Sequence, residues 1–359
     1  MISTNHFHSF VRKAFSLFFV MSASCLLGSV VYGQGKQLNA ALRAATIESI
    51  GQLLKDKYAY PEVAAKMETE LRARLKRGDY DQIFDGGKFA ERLTADLRSI
   101  FDDKHLKLSF SVEPIPVRSG MAGMPSAEEI EQARIKQSRE NFGLPKVEIL
   151  KGNVGFIQIN YFAPLSWSNA SYTAAMNYVA HSDALIIDVR QNRGSMDINT
   201  IPFFCSYLFD QPVQIGDIFT RESNETRQLW TYAQVPGHKY VNKPIFILTS
   251  QRTASGAEGF VSGLKRLKRA VLVGETTAGA SMPGGSHRVN DHFSIWISTG
   301  RSAAGTAGNE NKGIEPHVAV PSDVALNEAH RSALDGLIRN ADEKWKNELI
   351  KIRSELDDK

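Results

Sequence analysis

The chain of 359 residues is poor in cysteine, with only Cys25 and Cys205. Cys25 falls in an apolar N-terminal segment. Removing that segment leaves one thiol and excludes a disulfide framework in the mature chain. Cys205 lies within Pro202-Phe203-Phe204-Cys205-Ser206-Tyr207-Leu208, a setting that predicts a buried small hydrophobe and not a nucleophile. Excess charge of one sign is also lacking: the formal net charge is +4 at pH 7. No basic patch interleaved with aromatics occurs, so nucleic acid is not an expected partner. The run Lys265-Arg266-Leu267-Lys268-Arg269 reads as a solvated helix face. Internal repeats and long low-complexity tracts are absent. His287, Asp291 and His292 form a sparse grouping with no cysteine near it, so neither a metal nor another cofactor is expected.

What is present begins with a leader. Arg12-Lys13 precedes a mostly apolar stretch from Ala14 to Val31, and Val31-Tyr32-Gly33 ends on a small residue before Gln34. Residues 1–33 therefore read as a secretory signal peptide, which predicts a secreted or periplasmic protein. Two alternatives stay open. The segment is long enough to remain as an uncleaved membrane anchor, and Cys25 admits lipidation, although Ser22 stands where a lipobox usually has leucine. Asn169-Ala170-Ser171 and Asn224-Glu225-Thr226 match the N-glycosylation pattern, which matters only in a eukaryotic secretory route.

From residue 34 to 110 apolar residues recur at three- and four-residue spacing, as in Ile47, Ile50 and Leu54, in Val63, Met67 and Leu71, and in Phe89, Leu93 and Leu97. This predicts a three-helix bundle punctuated by Pro61, Gly78 and Asp85-Gly86-Gly87, and closed by a strand from Leu106 to Phe110. Residues 111–151 read as a connector or lid, with a proline- and glycine-rich loop and a charged helix from Ala127 to Asn141. From 152 to 325 strands alternate with helices, which gives an α/β core. A helical segment fills 326–359.

The core is read around Leu248-Thr249-Ser250-Gln251-Arg252-Thr253-Ala254-Ser255-Gly256-Ala257-Glu258. A buried strand precedes it, and Ala257, Phe260, Val261 and Leu264 follow at helical spacing. Ser255 thus sits at a strand–turn–helix junction, where a serine is exposed to substrate and a helix N-terminus favours developing negative charge. The other reading of Ser255 is an N-cap, with Glu258 three residues later completing a capping box.

Other stretches align with this one: Asp103-Lys104-His105, Asp188-Val189-Arg190-Gln191-Asn192-Arg193-Gly194, Gly274-Glu275-Thr276-Thr277-Ala278-Gly279 and Gly313-Ile314-Glu315-Pro316. In this order they resemble the S41 serine peptidases, the C-terminal-processing or tail-specific protease family. The likeness is to the branch with the tricorn core and the interphotoreceptor retinoid-binding protein modules. It covers residues 40–325. The resemblance implies a ClpP/crotonase-like ββα superhelix beside the bundle. It implies Ser255 as nucleophile, His105 as base and Glu315 as supporting acid. The backbone N–H groups of Gly256 and Gly194 would form an oxyanion hole. Many bacterial members place a lysine base after the Gly-Glu-Thr-Thr-x-Gly segment. Ala280 stands there in this chain, and Ser195 stands where a second glycine is usual.

Chemically the set is coherent. Serine needs a base within hydrogen-bond reach, neutral imidazole serves near pH 7, and a carboxylate steadies the charged intermediate. The expected function is a secreted or periplasmic serine endopeptidase acting on polypeptides. The alternative is a non-catalytic binding module of the same fold that holds an apolar or peptide ligand. An acyl-CoA enzyme of crotonase type is disfavoured by the leader and the serine motif. The 111–151 window is too short for a PDZ domain. Substrate choice is therefore expected to rest on Met121 to Met124 and on a loop from Ser281 to Asn290.

Overall fold

The computed structural model describes residues 38–117, 125–303 and 311–356. Residues 1–33, expected to be a leader, and Met121 to Met124 lie outside these. Three helices open the described chain: α1 (Ala40–Lys57), α2 (Pro61–Arg77) and α3 (Gly86–Ile100). Their ends follow from local chemistry. Asn39 and Asp85 cap α1 and α3 through their side chains, Pro61 starts α2, and Gly78 ends it in the left-handed conformation. Gly87 and Gly86 open α3 and do not merely separate helices. A Cβ on Gly86 would meet the Phe110 ring at 2.4 Å.

After β1 (Lys107–Phe110) come α4 (Ala127–Ser138), β2 (Lys146–Leu150), β3 (Val154–Gln158), α5 (Leu165–Val179), β4 (Ala184–Asp188) and α6 (Thr200–Ser206). Then follow β5 (Gln214–Thr220), β6 (Glu225–Trp230), β7 (Ile245–Thr249), α7 (Gly256–Arg266) and β8 (Val271–Gly274). The chain continues through β9 (Gly284–Arg288), β10 (Phe293–Ser298), β11 (Gly300–Arg301), β12 (Val318–Ala319), α8 (Ala325–Asn340) and α9 (Glu343–Ser354).

The fold is α/β. Its central sheet runs β12-β8-β7-β4-β3-β2, parallel except for the antiparallel β2–β3 pair. Both faces are buried, which explains the unbroken apolar runs of β4 and β7. Ile187, Ile247 and Leu272 pack among residues of α5, α6 and α7, whereas Ile186, Leu248 and Val273 pack with α8 and α9. Lys146–Leu150, which falls in the sequence-defined connector, is an edge strand of this sheet. Ser281 to Asn290, expected as a loop, contains β9.

The helical region shares its core with part of the α/β region. Phe89, Leu93 and Leu97 of α3 cluster with Leu106, Leu108, Phe293, Ile295 and Ile297, on one face of the antiparallel sheet β1-β10-β9. A polar joint reinforces this seam. Asp103, 1% exposed, accepts from the Tyr58 hydroxyl at the end of α1 (3.1 Å), the Ser298 hydroxyl at the end of β10 (2.7 Å), and the N–H groups of His105 (2.9 Å) and Leu106 (3.3 Å). Replacing Asp103 by alanine leaves these buried donors unpaired. It should lower unfolding free energy by about 3 kcal/mol, read as a lower urea midpoint.

Candidate active site

Three neighbouring parallel strands, β4, β7 and β8, send their carboxyl-end loops to one edge of the central sheet, where α/β folds commonly place ligands. The β4 loop is shaped by an ion pair: Arg190 donates from Nε and Nη2 to Asp188 at 2.9 and 2.7 Å. The β7 loop is fastened to it. The Thr253 hydroxyl donates to Val189 O (2.9 Å), the Ser250 hydroxyl to Arg190 O (2.6 Å) and Ala254 N–H to Asn192 O (3.0 Å).

Ser255 stands at the end of the β7 loop with φ 55° and ψ −128°. A non-glycine residue here stores roughly 1–3 kcal/mol of strain. The side chain does not cap α7, and its hydroxyl makes no hydrogen bond among the described residues. The capping-box reading therefore fails at both ends, because Glu258 is turned elsewhere. Glu258 is 1% exposed. It accepts from the Thr277 hydroxyl (2.5 Å) and from the N–H groups of Gly279 (2.8 Å) and Ala280 (2.7 Å). Ala280 in turn accepts the Ser255 N–H at 2.7 Å. The β8 loop is thus bound to α7 by a buried carboxylate and holds the strained serine from behind.

Gly194, at φ 131°, lies against the serine: a Cβ on it would fall 2.8 Å from Ser255 Cβ and 3.4 Å from Gly256 N. Its N–H, however, donates to Asn192 Oδ1 at 2.9 Å. The amide expected to be an oxyanion donor is thus bonded within its own loop. The N–H groups of Gly256, first in α7, and of Ser195 have no acceptor among the described residues. Ser195 N lies 2.8 Å from where a Cβ on Gly256 would stand. The Ser195 hydroxyl is turned away to Asp197 O (2.7 Å).

His105 sits on the turn before β1, half-buried and stacked on Trp296 with ring centroids 4.6 Å apart and planes at 26°. Its Nδ1 is buried and has no hydrogen-bond partner among the described residues. Burial holds its pKa below the ordinary imidazole value; Asp103 opposes this shift and Arg98 adds to it. The preceding Lys104 donates from Nζ to Ala278 O at 2.7 Å, and Ala278 N–H donates to Thr253 O at 2.9 Å. The same β8 loop therefore touches both the serine turn and the histidine turn. No hydrogen bond joins Ser255 Oγ to His105. Glu315 is not brought to His105 by any bond. Its side chain is exposed and unpaired among the described residues, and its carbonyl accepts from Lys265 Nζ at 2.6 Å.

Cys205 is fully buried and burial pushes its thiol pKa far up, as its sequence setting predicts. Among the described residues no group of acidic, histidine and cysteine side chains could hold a metal, and no helix is long and apolar enough to cross a membrane.

The family model of peptidase family S41 matches residues 153–320, and that of the N-terminal domain of Peptidase_S41 in eukaryotic IRBP matches residues 37–140. The chain belongs to peptidase family S41. A carboxyl-terminal-processing protease of Synechocystis is 23% identical over 149 residues, covering 42% of this chain and 33% of that protein; the match thus spans about a third of that relative. Two solved structures share the fold. One, from Parabacteroides merdae, is described as a candidate peptidase. It covers 78% of this chain and 90% of its own at TM-score 0.56 and 16% identity. The other is mature CPAF, covering 86% and 98% at TM-score 0.54 and 13% identity.

In this S41 chain sequence reasoning missed the clamp made by Glu258, the free Ser195 amide and the stacked Trp296. Only Trp296 left a signal. It alternates with the inward Ile295 and Ile297 and so faces outward with Ser294. Two substitutions test the serine turn. Ser255→Gly relieves the backbone strain and should raise stability by about 1 kcal/mol. Glu258→Gln leaves buried donors poorly paired and should lower it by about 2 kcal/mol. Thermal and urea unfolding of both variants read the opposite signs.

Proposed function

We propose that this S41 protein is a serine endopeptidase, exported through its leader, that hydrolyses polypeptides with Ser255 as nucleophile and His105 as base. The observation that carries this reading is the conformation of Ser255. Its uncapped hydroxyl stands at positive φ, between the Gly194 loop and the N-terminus of α7.

In the reaction Ser255 Oγ attacks the peptide carbonyl carbon while its proton passes to His105. Nε2 takes that proton, since Nδ1 is buried. Negative charge on the carbonyl oxygen is met by the N–H groups of Gly256 and Ser195, aided by the helix N-terminus. Collapse of this intermediate breaks the C–N bond, and His105 returns the proton to the leaving amine. Water then attacks the acyl-enzyme by the reverse proton route and frees Ser255. The Ser255–His105 hydrogen bond has to close with substrate bound, as catalytic bonds in unliganded enzymes commonly do. Asp103 acts as a positioning group through the His105 N–H. Glu315 is left out of this scheme.

Peptidase assays on unfolded protein and a peptide library test the reading. Ser255→Ala and His105→Ala should each lower kcat by about 10⁴-fold with folding intact. A wild type without turnover would instead leave a binding shell of the same fold. Protonated His105 cannot accept the serine proton, so kcat/KM should fall as pH drops. The midpoint should lie below the ordinary imidazole value of about 6.5, because burial lowers the His105 pKa. Cell fractionation, with and without residues 1–33, tests export.

A further inference from the structure

The sheet β1-β10-β9 has one face in the core beside α3. Its other face is polar by strict alternation: Lys107 and Ser109 on β1, Ser294 and Trp296 on β10, and Ser286 on β9. Register brings them together, with Lys107 opposite Trp296, Ser109 opposite Ser294 and Trp296 opposite Ser286. With Lys104 they line a cavity of about 280 Å³ whose wall includes His105.

The chemistry of this cavity is one-sided. Neither lysine is paired with a carboxylate among the described residues; Lys104 gives one of its three protons to Ala278 O. The hydroxyls of Ser109, Ser286 and Ser294 make no hydrogen bond among those residues. No acidic side chain lines the wall. Of the other charged groups around His105, Asp103 is buried and turned to Tyr58 and Ser298, and Arg98 is bonded to the carbonyls of Lys104 and Leu106. Two unpaired cations and three free hydroxyls around an indole suit a carboxylate. The size suits one side chain, being below the roughly 300 Å³ at which drug-sized ligands begin.

We propose that this cavity is a carboxylate-binding subsite of the peptidase, selecting polypeptides that present an acidic side chain within a few residues of the scissile bond. The inference rests on the Ser255–His105 reading, through the position of His105 on the cavity wall.

The test compares matched peptides carrying Glu or Gln at each position, as free acids and as C-terminal amides, on wild type and Lys107→Gln. Lys107 is exposed on β1, outside the proposed catalytic groups, so the substitution leaves the fold intact. The carboxylate form should be cleaved with a kcat/KM about ten-fold higher, expressed mainly in KM. The preference should shrink in Lys107→Gln and in high salt. Sensitivity to Glu→Gln supports the subsite, and sensitivity to amidation alone assigns the preference to the chain end and overturns it. Equal cleavage of all forms, or a preference untouched by Lys107→Gln, overturns the subsite while leaving the peptidase reading standing. If no peptide is cleaved, that reading falls, and binding of the acidic peptides to the Ser255→Ala protein decides the subsite. Quenching of tryptophan fluorescence that Trp296→Phe abolishes supports it, and absence of that quenching overturns it.

Discussion

The buried carboxylate of Glu258 is the contact on which the site depends. A carboxylate out of water is stable only when its oxygens are satisfied, and Glu258 draws its three donors from a single loop: one hydroxyl and two N–H groups of residues 277–280. That fixes the β8 loop to the first turn of α7. The loop then offers Ala280 O to the Ser255 N–H. A serine at positive φ left to itself would relax to an ordinary turn. Here strain in one residue is offset by hydrogen bonds made from three others, so the strained state is the one the packing over-determines.

A second buried carboxylate does the corresponding work for the histidine. Asp103 ties the end of α1, the end of β10 and the His105 turn into one joint. The helical bundle and the α/β region share a core there, so the histidine arrives from the first third of the chain on a rigid support. What Asp103 supplies is placement through the backbone, since His105 Nδ1 has no partner among the described residues. Burial keeps the imidazole less basic than usual, and its broad contact is with the Trp296 ring. Under the proposed mechanism, a stacked indole would favour the imidazolium and so stabilise charge without a carboxylate against the ring.

Much of this architecture was legible in the sequence. Three- and four-residue spacing gave α1, α2 and α3, and unbroken apolar runs gave β4 and β7, because burial on one face or both leaves a periodic mark. The order of short motifs gave the family. Contacts made by side chains against backbone left no such mark. Glu258 lies three residues after Ser255, the spacing of a capping box, and local pattern cannot tell a carboxylate turned back to its own helix start from one turned to a loop twenty residues on. Gly194 was read from the resemblance as an oxyanion donor. That its amide is spent on Asn192 was not legible, because the bond depends on how the β4 loop folds back. Glu315 illustrates the same limit: a motif position fixes a place in the chain, whereas reach to His105 is decided by tertiary packing.

The two departures from the family pattern belong to one local arrangement. Where a second glycine is usual, the Ser195 hydroxyl is turned to Asp197 O, and its N–H has no acceptor among the described residues. Where a lysine is usual, Ala280 serves through its backbone alone, N–H to Glu258 and carbonyl to Ser255. A small side chain suffices for a residue whose work is done by its peptide groups. The amine that approaches this loop comes instead from Lys104, bonded to Ala278 O one residue before the histidine in sequence. Ala280 on one side of the loop and the Lys104–His105 pair on the other fit the proposed reading, in which imidazole and not an amine takes the serine proton.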